Sequence, residues 1–176
     1  MPRFHRTAHR VSLTAMFAAM SLLFLYLASV LPTMRIAMYF LSSVFVMGLV
    51  IEEEIGLAIL MFIGVSLMSL LLMPDITRVL PYVFFFGHYG IGKYYIQTRI
   101  KDKIAAYVVK LIYYNVAVAL VYLLARELIF KDVAFAESMF WLFVVLAEVA
   151  FVIYDFLYDK VTSFYFNNLR RLLMKN

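Results

Sequence analysis

The chain has 176 residues, the length of about one domain. Hydrophobic residues make up 66% of it and charged residues 15%, against about 45–50% and about 25% in soluble proteins; a water-soluble globule this small cannot hide so much apolar surface and is excluded. The net charge of +5 is first a membrane-topology signal rather than a sign of nucleic-acid binding, and the absence of cysteine removes disulfides, thiolate metal sites and cysteine nucleophiles.

A bilayer core about 30 Å thick needs about 20 apolar residues per helix. Charges, prolines and turn residues cut the chain into six such stretches, which predict an all-α integral membrane bundle over residues 1–160. The first covers residues 11–31 and stops at Pro32-Thr33-Met34-Arg35. It is longer than the 7–15 residues of a signal-peptide core and reads as a retained helix. The second covers 36–51 and ends at Glu52-Glu53-Glu54. The third covers 55–73 and ends at Pro74-Asp75. The fourth, 79–96, is the least regular: Pro81 opens it and Gly87, Gly90 and Gly92 interrupt it among many aromatics. These glycines predict close helix packing or a local break that lines a binding site. The fifth covers 104–125 and the sixth 139–158. Residues 161–176 carry Arg170, Arg171 and Lys175 beside apolar residues at roughly helical spacing, which suits an amphipathic helix on the inner leaflet as well as a solvated basic tail.

With the N-terminus inside, ten Lys and Arg fall on the cytoplasmic side and four outside; Lys93 and Lys110 lie within spans. The bias predicts a cell-membrane protein with both termini cytoplasmic. No enzyme signature accompanies this pattern. Gly87 to Lys93 matches part of a P-loop, but Tyr94 stands where the magnesium-binding hydroxyl belongs. His5 and His9, four apart, make a weak metal pair. The chain is expected to be neither enzyme nor metalloprotein and to hold no cofactor.

Polar groups inside spans are costly and are functional candidates by default. At 1.5 Å per residue, His88, Asn115 and Glu148 lie roughly 16–18 Å above the inner edge, on three different spans. Lys110 and Asp155 form a second layer, roughly 10 and 8 Å up. Glu148 and Asp155, seven apart, share one helix face. His88, Asn115 and Glu148, with Tyr82 and Tyr89 nearby, are therefore the candidate ligand-binding residues; a helix-packing network is the competing reading. Lys110 with Asp155 reads as a structural ion pair.

The segment Arg10-Val-Ser-Leu-Thr-Ala15-Met-Phe-Ala-Ala19-Met-Ser resembles the first helix of the substrate-binding S components of energy-coupling factor (ECF) transporters, small six-helix proteins with both termini inside. In that family an Ala-x-x-x-Ala face, matched here by Ala15 and Ala19, docks on a transmembrane coupling subunit that works with two ATPase subunits. The resemblance implies capture of a small molecule, such as a vitamin or metal ion, with no nucleotide site in this chain. The first outer loop is shorter than in many S components, and no vitamin-specific site is matched. A membrane scaffold that docks partner proteins is the alternative. A proton-coupled carrier using Glu148 and His88 ranks lower, because the two halves of the chain show no internal repeat.

Overall fold

The computed structural model describes the backbone of residues 3–129 and 137–164, and side chains within 8–123 (His9 excepted) and 144–164. Among these residues the chain is all-helical. Six α-helices follow one another: α1 (Arg3–Val30), α2 (Arg35–Ile51), α3 (Ile55–Leu72), α4 (Gly87–Arg99), α5 (Lys103–Ile129) and α6 (Glu137–Phe164). Four stretches, Arg10–Val30, Pro32–Ile51, Ile55–Leu72 and Lys103–Leu123, are long and apolar enough to cross a membrane. The other two expected spans are not among these four, which were found among the described residues alone. Helix α4 has only 13 residues, about 20 Å, and must borrow the turns before it to match a bilayer core. Helix α6 has 28 residues; its side chains are described only from 144 onward, where it carries Glu148, Asp155, Asp159 and Lys160.

The helices also outrun the apolar stretches. Helix α1 takes in Arg6 and Arg10, α5 continues through Arg126 and Glu127, and α6 passes Asp159-Lys160. A charge ends an apolar run but not a helix, because Arg, Lys and Glu are good helix formers. The predicted basic tail lies outside the described residues from 165 onward.

Helix α2 is the centre of the bundle. One side of it, Tyr39, Val46, Leu49 and Val50, joins Leu25 and Ala28 of α1, Ala58, Met61 and Val65 of α3, and Tyr82. Its other side, Met47 and Ile51, joins an aromatic cluster of Phe85, Tyr89, Tyr114, Phe151, Tyr154 and Tyr158 drawn from the fourth, fifth and sixth segments. Small polar residues let α1 and α2 approach closely: the Ser21 and Ser42 hydroxyls lie 2.6 Å apart, both buried.

The turn between α2 and α3 is built from the three acids. The Glu53 N–H bonds the Val50 carbonyl and the Glu54 N–H bonds that of Leu49, the paired bonds of a Schellman cap. Glu53 takes the left-handed position, at φ 62°, which is normally given to glycine because a Cβ is strained there.

A second clamp holds the α3–α4 connection. Asp75 Oδ1 accepts from the Thr77 amide at 3.0 Å and the Thr77 hydroxyl at 2.5 Å, and Asp75 Oδ2 accepts from Arg78 Nε at 2.9 Å. Arg78 also donates to the Ser29 carbonyl near the end of α1, and the Tyr39 hydroxyl donates to the Arg78 carbonyl at 2.5 Å. The Thr77 hydroxyl bond comes first among the causes that hold the Asp75 carboxyl below its usual range; the Thr77 amide and Arg78 add to it.

The irregular fourth segment resolves into a π-helical turn, Tyr82–Phe86, running into α4. Proline has no N–H and cannot continue a regular ladder. After Pro81 the Val79 carbonyl accepts from both Tyr82 and Val83, and the Gly87 N–H reaches back five residues to Tyr82. Such turns widen the helix by one residue. Tyr82 thereby joins the α1–α3 core, while Phe85, three residues on, joins the α5–α6 aromatics.

Candidate functional site

The most polar interior position lies where α4, α5 and α6 meet. Asp155 of α6 is its hub. Asp155 Oδ1 accepts from Lys93 Nζ of α4 at 2.6 Å and from the Tyr89 hydroxyl at 2.5 Å. Asp155 Oδ2 accepts from Lys110 Nζ of α5 at 2.5 Å. Lys93 also pairs with Asp159, one turn further along α6, at 2.7 Å. Lys93, Lys110 and Asp155 are all buried, whereas the Asp159 side chain is 57% exposed. Two lysines and two aspartates balance in charge, as buried ions must. Lysine offers three donors. Lys93 Nζ contacts Asp155 Oδ1, the Asp155 carbonyl and Asp159.

Helical spacing places these groups. Tyr89 and Lys93 are four residues apart on α4, and Asp155 and Asp159 are four apart on α6, so each pair stands on one face. The glycines of α4 make room for it. A Cβ on Gly90 would overlap the Tyr158 hydroxyl of α6, and one on Gly87 would sit 2.7 Å from the Phe62 ring of α3. Close packing is thus one part of the glycine pattern, and the π-helical turn is the other.

The sequence paired Lys110 with Asp155, and the structure brings them into contact. It missed Lys93 and Asp159 as further members, although the four-residue spacing carried that information. Tyr89, a candidate ligand-binding residue, is fully buried and bonds Asp155. Tyr82 is equally buried, 3.4 Å from the Ser21 hydroxyl in the other half of the core.

The three residues expected at one depth divide. Asn115 Nδ2 donates to Glu148 Oε1 at 2.7 Å. His88 does not join that pair. Its Nδ1 bonds the Tyr113 hydroxyl, and its ring stands edge-on to Phe62 with centroids 5.4 Å apart. Equal depth put the three at one level but did not fix the rotation of α4, which aims His88 between α3 and α5.

Asn115 and Glu148 lie in a cleft of about 260 Å³ between α5 and α6. Tyr114, Val118, Tyr122, Leu123 and Ala147 supply much of its wall. Every wall residue on α5 other than Tyr114 lies C-terminal to Asn115, and those on α6 lie N-terminal to Glu148, so the cleft occupies the half of the bundle away from the Lys93–Asp155 cluster. A largely apolar wall with a few convergent polar groups is the usual make-up of a small-molecule site.

A second cavity, about 390 Å³, opens at the opposite end. Gln97, Ile100, Lys101, Lys103, Ala106, Tyr107, Lys110 and Asp159 line it.

Ala15 and Ala19, the candidate docking residues, are both exposed on α1. Ala18 packs against the core and Ser21 is buried against Ser42. The small-residue surface of α1 therefore splits into an inward part, used by α2, and an outward part. Among the described residues no group of three or more His, Cys, Asp or Glu is placed to hold a metal ion. No family model matches the chain, and neither the curated proteins nor the solved structures include a match to it.

Proposed function

We propose that the chain is the ligand-capturing subunit of an ATP-driven importer in the cell membrane, working as S components of ECF transporters do and having no catalytic activity of its own. The cleft between α5 and α6 carries this reading. It lies in the half of the bundle that the charge bias assigns to the outside, and Asn115 and Glu148 offer an amide and a carboxylate to a bound molecule. Its 260 Å³ lies just below the usual range of about 300–1,000 Å³ and suits only a small compound. The exposed Ala15–Ala19 face of α1 supports the second half of the reading, because small residues let a foreign helix approach closely in lipid.

Purification in mild detergent, followed by mass spectrometry of copurifying proteins and small molecules, tests both halves. Replacing Asn115 and Glu148 with Leu should remove the small molecule and leave the partner. Replacing Ala15 and Ala19 with Leu should remove the partner and leave the small molecule. The proposal is overturned if neither a small molecule nor a membrane partner with ATPase subunits copurifies. The scaffold reading draws on the same α1 face, and a protein partner without any small molecule would favour it.

A further inference from the structure

We infer that the cavity at the Lys-rich end of α4, α5 and α6 is a binding site for a phosphate group, carried either by a phospholipid headgroup or by a free phosphate. Donor counting at Lys110 supplies the first argument. Among the described residues Lys110, unlike Lys93, uses a single hydrogen bond, to Asp155 Oδ2 at 2.5 Å, and its ammonium also stands 5.6 Å from the centre of the Tyr107 ring. An ammonium group has three donors, so two remain for a ligand, and Lys110 lines the cavity although it is only 6% exposed.

The charge balance supplies the second argument. Lys93 and Lys110 offset Asp155 and Asp159. Lys101 and Lys103, at the mouth, therefore carry the excess positive charge. Asp102, between them, accepts the Ile104 N–H at 3.1 Å and offsets one of the two, so the mouth keeps a net excess of one positive charge. The lining places three lysines against one aspartate, with the Gln97 amide beside them.

Depth is the third argument. Lys103 stands at the start of α5 and Lys110 seven residues further in, roughly 10 Å along the axis. The cavity thus runs from headgroup level into the apolar layer, where Ile100, Ala106 and Tyr107 would meet the glycerol and first methylenes of a lipid. Basic pockets between membrane helices are suited to anionic headgroups. The site is distinct from the Asn115–Glu148 cleft and does not depend on the importer reading.

The full-length protein in neutral detergent is titrated with short-chain phosphatidylglycerol, short-chain phosphatidylcholine and inorganic phosphate, and bound species are counted by native mass spectrometry. The site predicts retention of phosphatidylglycerol over phosphatidylcholine. Competition by inorganic phosphate at concentrations comparable to the lipid identifies a free phosphate as the ligand; no competition identifies the headgroup. The surface double variant Lys101→Gln/Lys103→Gln should weaken retention by about 30-fold at low salt. Gln97→Trp leaves every charge in place and fills the cavity; it should abolish retention, with an unchanged thermal unfolding curve showing that the fold is kept. Two results overturn the site: equal retention of the two lipids together with no phosphate binding, or undiminished phosphate-group binding in Gln97→Trp, which would mean diffuse attraction to surface lysines.

Discussion

Asp155 is the residue on which most of the interior polar chemistry depends. It is held by two lysines and a tyrosine, so its removal leaves the buried Lys110 ammonium without its carboxylate and Lys93 with only the half-exposed Asp159. Breaking a buried pair in this way costs about 3–5 kcal/mol. Asp155→Ala is expected to lose that much in reversible unfolding in mixed detergent–SDS micelles. Lys110→Met should cost less, about 1.5–3 kcal/mol, because Lys93 and Tyr89 still hold the carboxylate. The reverse order would show that Lys110, not Asp155, is the hub. Glu53 is the opposite case, a residue in a position that suits another. Its left-handed φ of 62° predicts that Glu53→Gly stabilises the protein by about 0.5–1 kcal/mol in the same unfolding measurement; a loss of stability would mean that the carboxylate makes a compensating contact.

At the scale of elements, the α4–α6 contact is set by the absence of a side chain. Gly90 lies against the Tyr158 hydroxyl, which has no hydrogen-bond partner among the described residues. Gly90→Ala should therefore cost about 1–3 kcal/mol through overpacking. Tyr158→Phe removes the obstructing oxygen and is expected to be near neutral alone, since that hydroxyl bonds nothing among the described residues. Together the two changes should cost clearly less than Gly90→Ala alone, with a coupling energy of at least about 0.5 kcal/mol; strict additivity would place the obstruction elsewhere. The α3–α4 connection responds to acid instead. The folded state holds the Asp75 carboxyl below its ordinary value of 3.8, the Thr77 hydroxyl bond leading and Arg78 assisting. A depressed carboxyl contributes stability that is present above that value and lost as pH falls through the lower folded value. Asp75→Asn should flatten the pH dependence of unfolding below about pH 4 and leave the neutral range unchanged in slope. An identical acid limb in the variant would remove Asp75 as the source.

At the scale of the whole molecule, six helices and a ten-to-four bias of Lys and Arg predict both termini inside. Reporter fusions after Lys103 and Lys160 should read cytoplasmic and one after Lys131 external; any reversal refutes the orientation. The same orientation puts the Asn115–Glu148 cleft outside and the Lys101–Lys103–Lys110 cavity inside, on opposite ends of the pair formed by α5 and α6. The bundle is thus polar at two levels for two different reasons, one balanced and closed at Asp155, the other lateral and open between helices.

The sequence by itself determined the all-α class and the number of helices found among the described residues. Those properties are local: an apolar run of given length makes a helix, and a residue's distance from the end of that run sets its height. The Lys110–Asp155 contact was legible because matching depth and opposite charge both pointed to it. What only the tertiary structure decided is rotation and register. Ala15 and Ser21 belong to one stretch of small residues, yet one is exposed and the other buried, because α2 packs on only one side of α1. His88 shares its depth with Glu148 but faces Tyr113, because the π-helical turn at Tyr82–Phe86 resets the face that α4 presents. Lys93 joined Asp155 for the same reason. Which sides of two helices meet depends on how their side chains and missing side chains interlock, and no single segment contains that information.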